Sequence, residues 1–329
     1  MRLSAFSVLD GFPAEADSTS RNRYSELLSL AEAADRSGLA CVWVAEHHFL
    51  PSGLCPSPPV LLATMGARTR RIRLGSLVSV LPFHSPIEIA EQYALLDQLI
   101  GGRLNFGVGS GYIPAEFEGF GLDPAEKRER FDRALETILA AFRGEEVRSD
   151  RPSAKLVRLN VRPRQQPAPP VWIAAQRREA LPFVARKGCS LALIPYATVR
   201  DIDELAEEIQ EFRRAVPPGQ TATVSAAAHV YAGPAPDRAR AALQQYLDSR
   251  LATQSVFYQQ KVRSDPRHAS AAAMEESGLA MVGGVHEVEE RIRAFARAGV
   301  DELAGIFDFG GLPLSDAIGS VQRLATRVR

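Results

Sequence analysis

Histidine is scarce in this chain, six in 329 residues, yet His47 and His48 stand side by side in "VWVAEHHF". An imidazole titrates near neutral pH, so it suits general acid–base work or metal ligation. A metal centre needs further ligands, and no His-x-His, His-x-x-x-His or nearby cysteine pair accompanies these two. Two readings therefore stand: a partly exposed loop pair, or a proton-handling group at a pocket. His84 in "VLPFHSP" and Asp308 in "IFDFGG" follow strand-like runs and can join the rim of the same pocket. His229 lies near the end of another such run, and alternation does not decide which face it takes. His268 and His286 carry no site argument.

Two further stretches have chemistry in their spacing. "GVGSG" (107–111) lacks the G-x-G-x-x-G spacing and the acidic partner of a dinucleotide fingerprint. Gly107, Gly109 and Gly111 alternate, which clears one face where a flat ring can lie against the backbone. A tight strand-to-loop turn accounts for them equally well. "AAQRREAL" (174–181) opens a helix whose first N–H groups, with Arg177 and Arg178, suit a phosphate. Solvated surface arginines are the alternative.

These residues need elements to position them. Strand-type runs at 3–8, 41–46, 72–81 and 103–109 alternate with helical patterns at 24–38, 58–69, 86–100 and 126–142. The alternation resumes with strands at 171–175, 190–195, 222–232 and 302–309, and helices at 179–187, 201–215, 237–251 and 286–298. Residues 148–170 read as an excursion with a short hairpin, and 252–284 as an inserted helical segment. Eight βα units predict an α/β (β/α)₈ TIM barrel in a single domain over 1–329. A doubly wound sheet would more naturally use five or six strands. In such a barrel the chemistry sits at the C-terminal strand ends, where "AEHHF" leaves the second strand. Alternation sends His47 and His48 in different directions, one into the barrel mouth.

Composition narrows the partners. Lys+Arg and Asp+Glu are both 39, so no basic excess favours nucleic acid or an anionic membrane. Cys41, Cys55 and Cys189 are scattered and odd in number, which suits a reducing compartment. No run approaches the ~20 apolar residues needed to span a bilayer, and the first residues do not read as a signal peptide. A soluble cytoplasmic protein is the expectation.

Taken together, "WVAEHHF", "IRLGSLVSVLPFHSPIEIAEQYALLDQLIGGRLNFGVGSGY" with "EFEGFG", "PPVWIAAQ" and "AGVDELAGIFDFGG" resemble the bacterial luciferase-like flavin monooxygenases. The resemblance runs over nearly the whole chain and is most specific over 43–121. It implies a TIM barrel that uses reduced FMN, supplied by a separate reductase, with dioxygen to oxygenate a small organic substrate. A homodimer is also implied. On that resemblance His47 is the catalytic acid/base, with His48, His84 and Asp308 around the substrate. Leu77 and Val78 join through a non-proline cis peptide near the flavin. Gly109, Ser110 and Gly111 lie beside the flavin, and the phosphate falls at Gln176, Arg177 and Arg178. Ser110 stands where bacterial luciferase has a phosphate-holding arginine, and Gly109 where it has a reactive cysteine. The final "IFDFGG" is similar to members in natural-product pathways, where hydroxylation, epoxidation and Baeyer–Villiger oxidation occur. A deazaflavin-dependent hydride transferase and a non-catalytic partner subunit are the competing readings.

Overall fold

The computed structural model describes residues 1–11, 16–50, 53–148, 153–253, 262 and 265–327. Its strands are β1 (Arg2–Ser7), β2 (Cys41–Val44), β3 (Arg73–Ser76), β4 (Ser79–Val80), β5 (Leu104–Gly109), β6 (Val171–Ala174), β7 (Ser190–Leu193), β8 (Val224–Ala232), β9 (Ala280–Gly283) and β10 (Glu302–Ile306). Helices α1 (Ala16–Ser37), α2 (Pro58–Arg68), α3 (Pro86–Leu99), α4 (Pro114–Gly119), α5 (Lys127–Phe142) and α6 (Leu181–Arg186) lie in the first part. They are followed by α7 (Pro195–Thr198), α8 (Ile202–Ala215), α9 (Pro236–Thr253), α10 (Ala271–Glu276), α11 (Val285–Arg297) and α12 (Leu314–Ala325).

Every strand pairing is parallel, and β10 pairs with both β1 and β8, which closes an eight-stranded barrel. Arg2 lies opposite Glu302 on one side of β10 and Ser225 opposite Glu302 on the other. The apolar runs make this closure possible, because strands covered on both faces need continuous burial. β8 shows it plainly: all nine residues of "VSAAAHVYA" are buried. The outer helices bury one stripe each. In α11 that stripe is Val288, Ile292 and Phe295, and in α8 it is Leu205, Ile209 and Phe212, below a cap in which Asp201 accepts from the Asp203 and Glu204 N–H groups.

The N-terminal half of the barrel is filled. Trp43 meets Trp172 edge-to-face at 5.4 Å and donates its indole N–H to Glu302 at 2.8 Å. Glu302 also accepts from Ser4 at 2.8 Å and pairs with Arg2 at 3.1 Å, so its buried charge is satisfied. Space for a ligand is left at the opposite end.

Three sequence expectations change. The run 72–81 is not one strand: β3 and β4 are separated at Leu77–Val78, whose peptide bond is cis, as the resemblance implies. The segment 252–284 is not purely helical, since Ala280–Gly283 forms β9 beside the last residues of β8. Four residues after a helix end show too little period to be recognised. Residues 254–261, 263 and 264 of that expected insertion, and 149–152 of the other, lie outside the described residues. Around the latter, Val147 and Val157 form an isolated antiparallel bridge. Finally, the run from 302 leaves the sheet after Ile306, so Asp308 sits on the loop. The three cysteines are free and buried. Among the described residues, no helix is long and apolar enough to cross a membrane.

Candidate active site

A cavity of about 400 Å³ opens among the C-terminal strand ends, within the ~300–1,000 Å³ usual for small-molecule sites. The exits of β2, β5 and β6 and the β3–β4 break supply its wall: His47, Leu77, Val78, Gly109, Ser110, Gly111, Gln176 and Arg177.

The adjacent histidines, three and four residues past the end of β2, take opposite roles. His47 lines the cavity, and its Nδ1 lies 3.0 Å from Glu116 Oε1. The same carboxylate oxygen accepts the His48 backbone N–H at 2.9 Å. Because a carboxylate only accepts, Nδ1 carries the proton and Nε2 is the nitrogen left for the cavity. Gly53 lets this ring sit where it does. With φ of +154°, it packs so close that a Cβ there would fall 2.5 Å from His47 Cβ.

His48 does not line the cavity. Its Nε2 donates to Glu46 Oε1 at 3.0 Å, and its ring packs edge-on against Phe83 and Phe120. His84, expected to share the cavity with His47, instead reaches the same Glu46 oxygen at 2.6 Å. The other Glu46 oxygen accepts from Ser79 Oγ at 3.0 Å and the Val80 N–H at 3.1 Å. Burial pushes the Glu46 carboxyl up, but the hydrogen bonds and charges of His48 and His84 outweigh it and bring it down to about 2. Glu46, His48 and His84 have ligand atoms within 4.8 Å of one another. Both imidazoles address one carboxylate oxygen, so the arrangement is satisfied by hydrogen bonds that tie the β2 exit to β4.

Asp308 and Arg178 also leave the cavity. Asp308 accepts from Ser7 Oγ at 2.6 Å and lies 3.4 Å from Arg23, beneath the mouth. Burial raises its carboxyl to about 6, against the pull of Arg23. Arg178 points outward to Glu211 at 2.6 Å and Glu207 at 3.6 Å. Its place is taken by Lys127 and Arg128 of α5, which line the cavity with Arg177. Lys127 is lowered from the usual lysine range by burial and by the charge of Arg177. Nor do the glycines of β5 simply clear a floor. A Cβ at Gly107 would fall 2.0 Å from the Ser76 carbonyl, and one at Gly109 2.6 Å from Val78. They let β5 approach the β3–β4 break, and only Gly109 and Gly111 reach the cavity.

Several residues here are given no site role by the sequence. Glu116 lies in "EFEGFG", on the six-residue α4, too short for a helical period. Tyr112, Tyr196 and the buried Arg250 line the inner cavity. His229 faces inward but is fully buried, ringed by Tyr196, Tyr246 and Phe309 at 4.9, 4.6 and 5.3 Å between ring centres. Neither ring nitrogen has a hydrogen-bond partner among the described residues.

Burial, aided by the charge of Arg250, lowers His229 to about 3. An unfolded chain binds this proton near pH 6.5 and the folded one only near 3, so its contribution to stability is whole above 6.5 and is lost on acidification. His229→Phe should remove that dependence. The difference in unfolding free energy between wild type and variant should change by about 1.4 kcal/mol per pH unit between pH 6 and 4. Parallel urea-denaturation curves across that range would disprove a neutral His229.

The comparisons with known proteins agree with this geometry. A family model described as luciferase-like monooxygenase matches residues 2–302. An uncharacterised Sinorhizobium fredii protein, y4wF, is 38% identical over 203 residues, covering 61% of this chain and 59% of that relative. The chain therefore spans about three-fifths of that curated relative's length. The oxygenase component of flavin-dependent trigonelline monooxygenase from Acinetobacter baylyi is 24% identical over 317 residues, covering 89% and 85% of the two chains. In fold, the chain is similar to the oxygenating constituent of 3,6-diketocamphane monooxygenase from Pseudomonas putida, in complex with FMN. The TM-score is 0.83 at 16% identity, over 100% of this chain and 98% of that one.

Proposed function

The chain belongs to the luciferase-like monooxygenase family, and on that premise we propose that it is the oxygenating component of a two-component enzyme. In this reading it receives reduced FMN from a separate reductase and uses dioxygen to oxygenate a small organic substrate. The observation that carries the proposal is His47, held by Glu116 through Nδ1 with Nε2 left to a mostly apolar cavity.

The residues present fit a flavin. Leu77, Val78 and Val80 give an apolar wall for a flat ring, and Ile173 and Ala174 extend it. Lys127, Arg128 and Arg177 place positive charge at one end for a phosphate, with Ser110 and Gln176 as polar neighbours. Reduced flavin, when bound, supplies the activation of dioxygen. The chain supplies position, dryness and one proton. Phe6, Val8 and Val80 add apolar lining that keeps water out of the same cavity. Glu116 fixes the His47 tautomer by accepting from Nδ1, so Nε2 faces the cavity and can take up a proton and return it.

Val60 of α2 and Leu95 and Leu99 of the neighbouring α3 are 68%, 49% and 66% exposed. These exposed apolar side chains on neighbouring helices support the homodimer that the resemblance implies.

Anaerobic titration with reduced FMN, followed by mixing with oxygenated buffer, tests the reading. Saturable binding and a protein-dependent delay in the return of oxidised-flavin absorbance are expected. Binding of a reduced deazaflavin in preference to reduced FMN would favour hydride transfer. No saturable binding of either would favour a non-catalytic subunit.

A further inference from the structure

The cavity has a second cationic pole that the cofactor reading leaves unused. Arg250 of α9 lines it, yet the residue is only 5% exposed. Among the described residues its one hydrogen bond runs from Nη1 to the hydroxyl of Tyr246. No carboxylate among them lies within the 4.0 Å of an ion pair, although the surface arginines of this protein are richly paired. Asp10 is near enough to interact electrostatically with both Arg250 and His47, but among the described residues it forms no ionic contact. Its burial also pushes its own carboxyl up towards the neutral acid.

A buried guanidinium without a counter-charge is costly. Its planar fork matches a carboxylate, which can accept two parallel N–H groups. The surroundings favour an oxygen ligand. Tyr112 and Tyr196 present phenols to the same end of the cavity, and burial holds the Tyr112 hydroxyl protonated by raising it to about 12. The same cavity has apolar lining from Phe6, Val8 and Ile194. The Tyr112 ring lies 6.3 Å from that of His47, centre to centre, and Arg250 is close enough to act on Tyr112, so this pole neighbours the proton-handling group; Lys127, Arg128 and Arg177 are the other cations of the lining.

We propose that Arg250 anchors the substrate through a carboxylate, so that the enzyme acts on small, apolar-bodied carboxylic acids. Arg250 is then a specificity-determining residue that orients the substrate's reacting carbon towards His47. This rests on the reading of the cavity as an oxygenation site, but its test does not depend on turnover.

Benzoate and its neutral counterpart benzamide serve as probes, followed by calorimetry and ligand-observed NMR with inorganic phosphate saturating the other pole. Wild type should bind benzoate at least about tenfold more tightly than benzamide, as a charge-assisted pair of ~1.5–3 kcal/mol implies. Arg250→Met should abolish that preference, Arg250→Lys should keep part of it, and Arg177→Ala should leave it intact. Circular dichroism checks that each variant folds. Should Arg250→Met fail to fold, the wild-type preference and the Arg250→Lys and Arg177→Ala results decide alone. Equal affinity for the two probes in wild type, a preference that survives in Arg250→Met, or its loss in Arg177→Ala would each overturn the proposal. Flavin binding is measured separately by fluorescence. Its failure alongside an intact, Arg250-dependent preference would count against the oxygenase reading and not against the anchor.

Discussion

His47→Ala should lower product formation per enzyme by about 10²–10⁴-fold, the usual loss when a positioned acid/base is removed. The dissociation constant of FMN should change by no more than a few-fold. The division follows from where each group lies. His47 meets the cavity through Nε2 and is held by Glu116 at 3.0 Å. The cations suited to the phosphate belong to α5 and the β6 exit. Truncating the imidazole therefore removes the proton carrier and leaves the phosphate end untouched. Glu116→Gln is the informative companion. The amide can still meet Nδ1–H through its oxygen, but it gives up the charge-assisted hydrogen bond that orients the ring. Its loss should fall between wild type and His47→Ala, about 10–100-fold, the range seen when an orienting partner is replaced. Fluorescence titration of FMN beside single-turnover kinetics checks all of this. Equal losses of flavin affinity and rate in His47→Ala would make His47 a cofactor-binding residue instead.

The barrel is legible in the sequence because its signal is repeated and redundant. Each βα unit carries an apolar run and an amphipathic period, so an error at one boundary leaves the architecture intact. β9 escapes because "AMVG" is four residues long and its partner, the end of β8, was already accounted for. Site residues have no such redundancy. Which of His47 and His48 lines the cavity is not set by β2, which ends at Val44, but by Glu116 holding the first and Glu46 the second. Arg177 and Arg178 are chemically identical in sequence, and only Glu207 and Glu211 on α8 draw the second outwards. Lys127 and Arg128 look like surface charges at a helix start. They become cavity residues because the β5 exit and the β6 exit place α5 and α6 around one opening. Arg250 is hidden for the same reason, since an arginine in an amphipathic helix ordinarily faces water.

Omitting the reductase should abolish turnover. Protein incubated with NAD(P)H and free FMN should form product no faster than non-enzymatic reduction of FMN permits, and adding a flavin reductase should restore activity. Two features of the chain lead there. No G-x-G-x-x-G follows a strand, and "GVGSG" lies at the barrel mouth, where it packs β5 against Ser76 and Val78 instead of cradling a pyrophosphate. The cations available to an FMN phosphate are also incompletely committed to it. Arg128 is 3.0 Å from Asp132 and stacks 3.8 Å from the Phe183 ring, while Arg177 is exposed. Exposed charges are screened by salt, with a Debye length of about 10 Å at 0.1 M and about 3 Å at 1 M. The protein should therefore purify largely free of flavin. Its affinity for oxidised FMN should fall several-fold between 0.05 and 0.5 M salt, while that for riboflavin, which has no phosphate, stays nearly constant. Such a weak, exchangeable hold suits a cofactor that arrives reduced and leaves oxidised. Turnover by the purified protein with NAD(P)H and FMN alone, above the non-enzymatic rate, would show that the chain reduces its own flavin and would end the two-component reading.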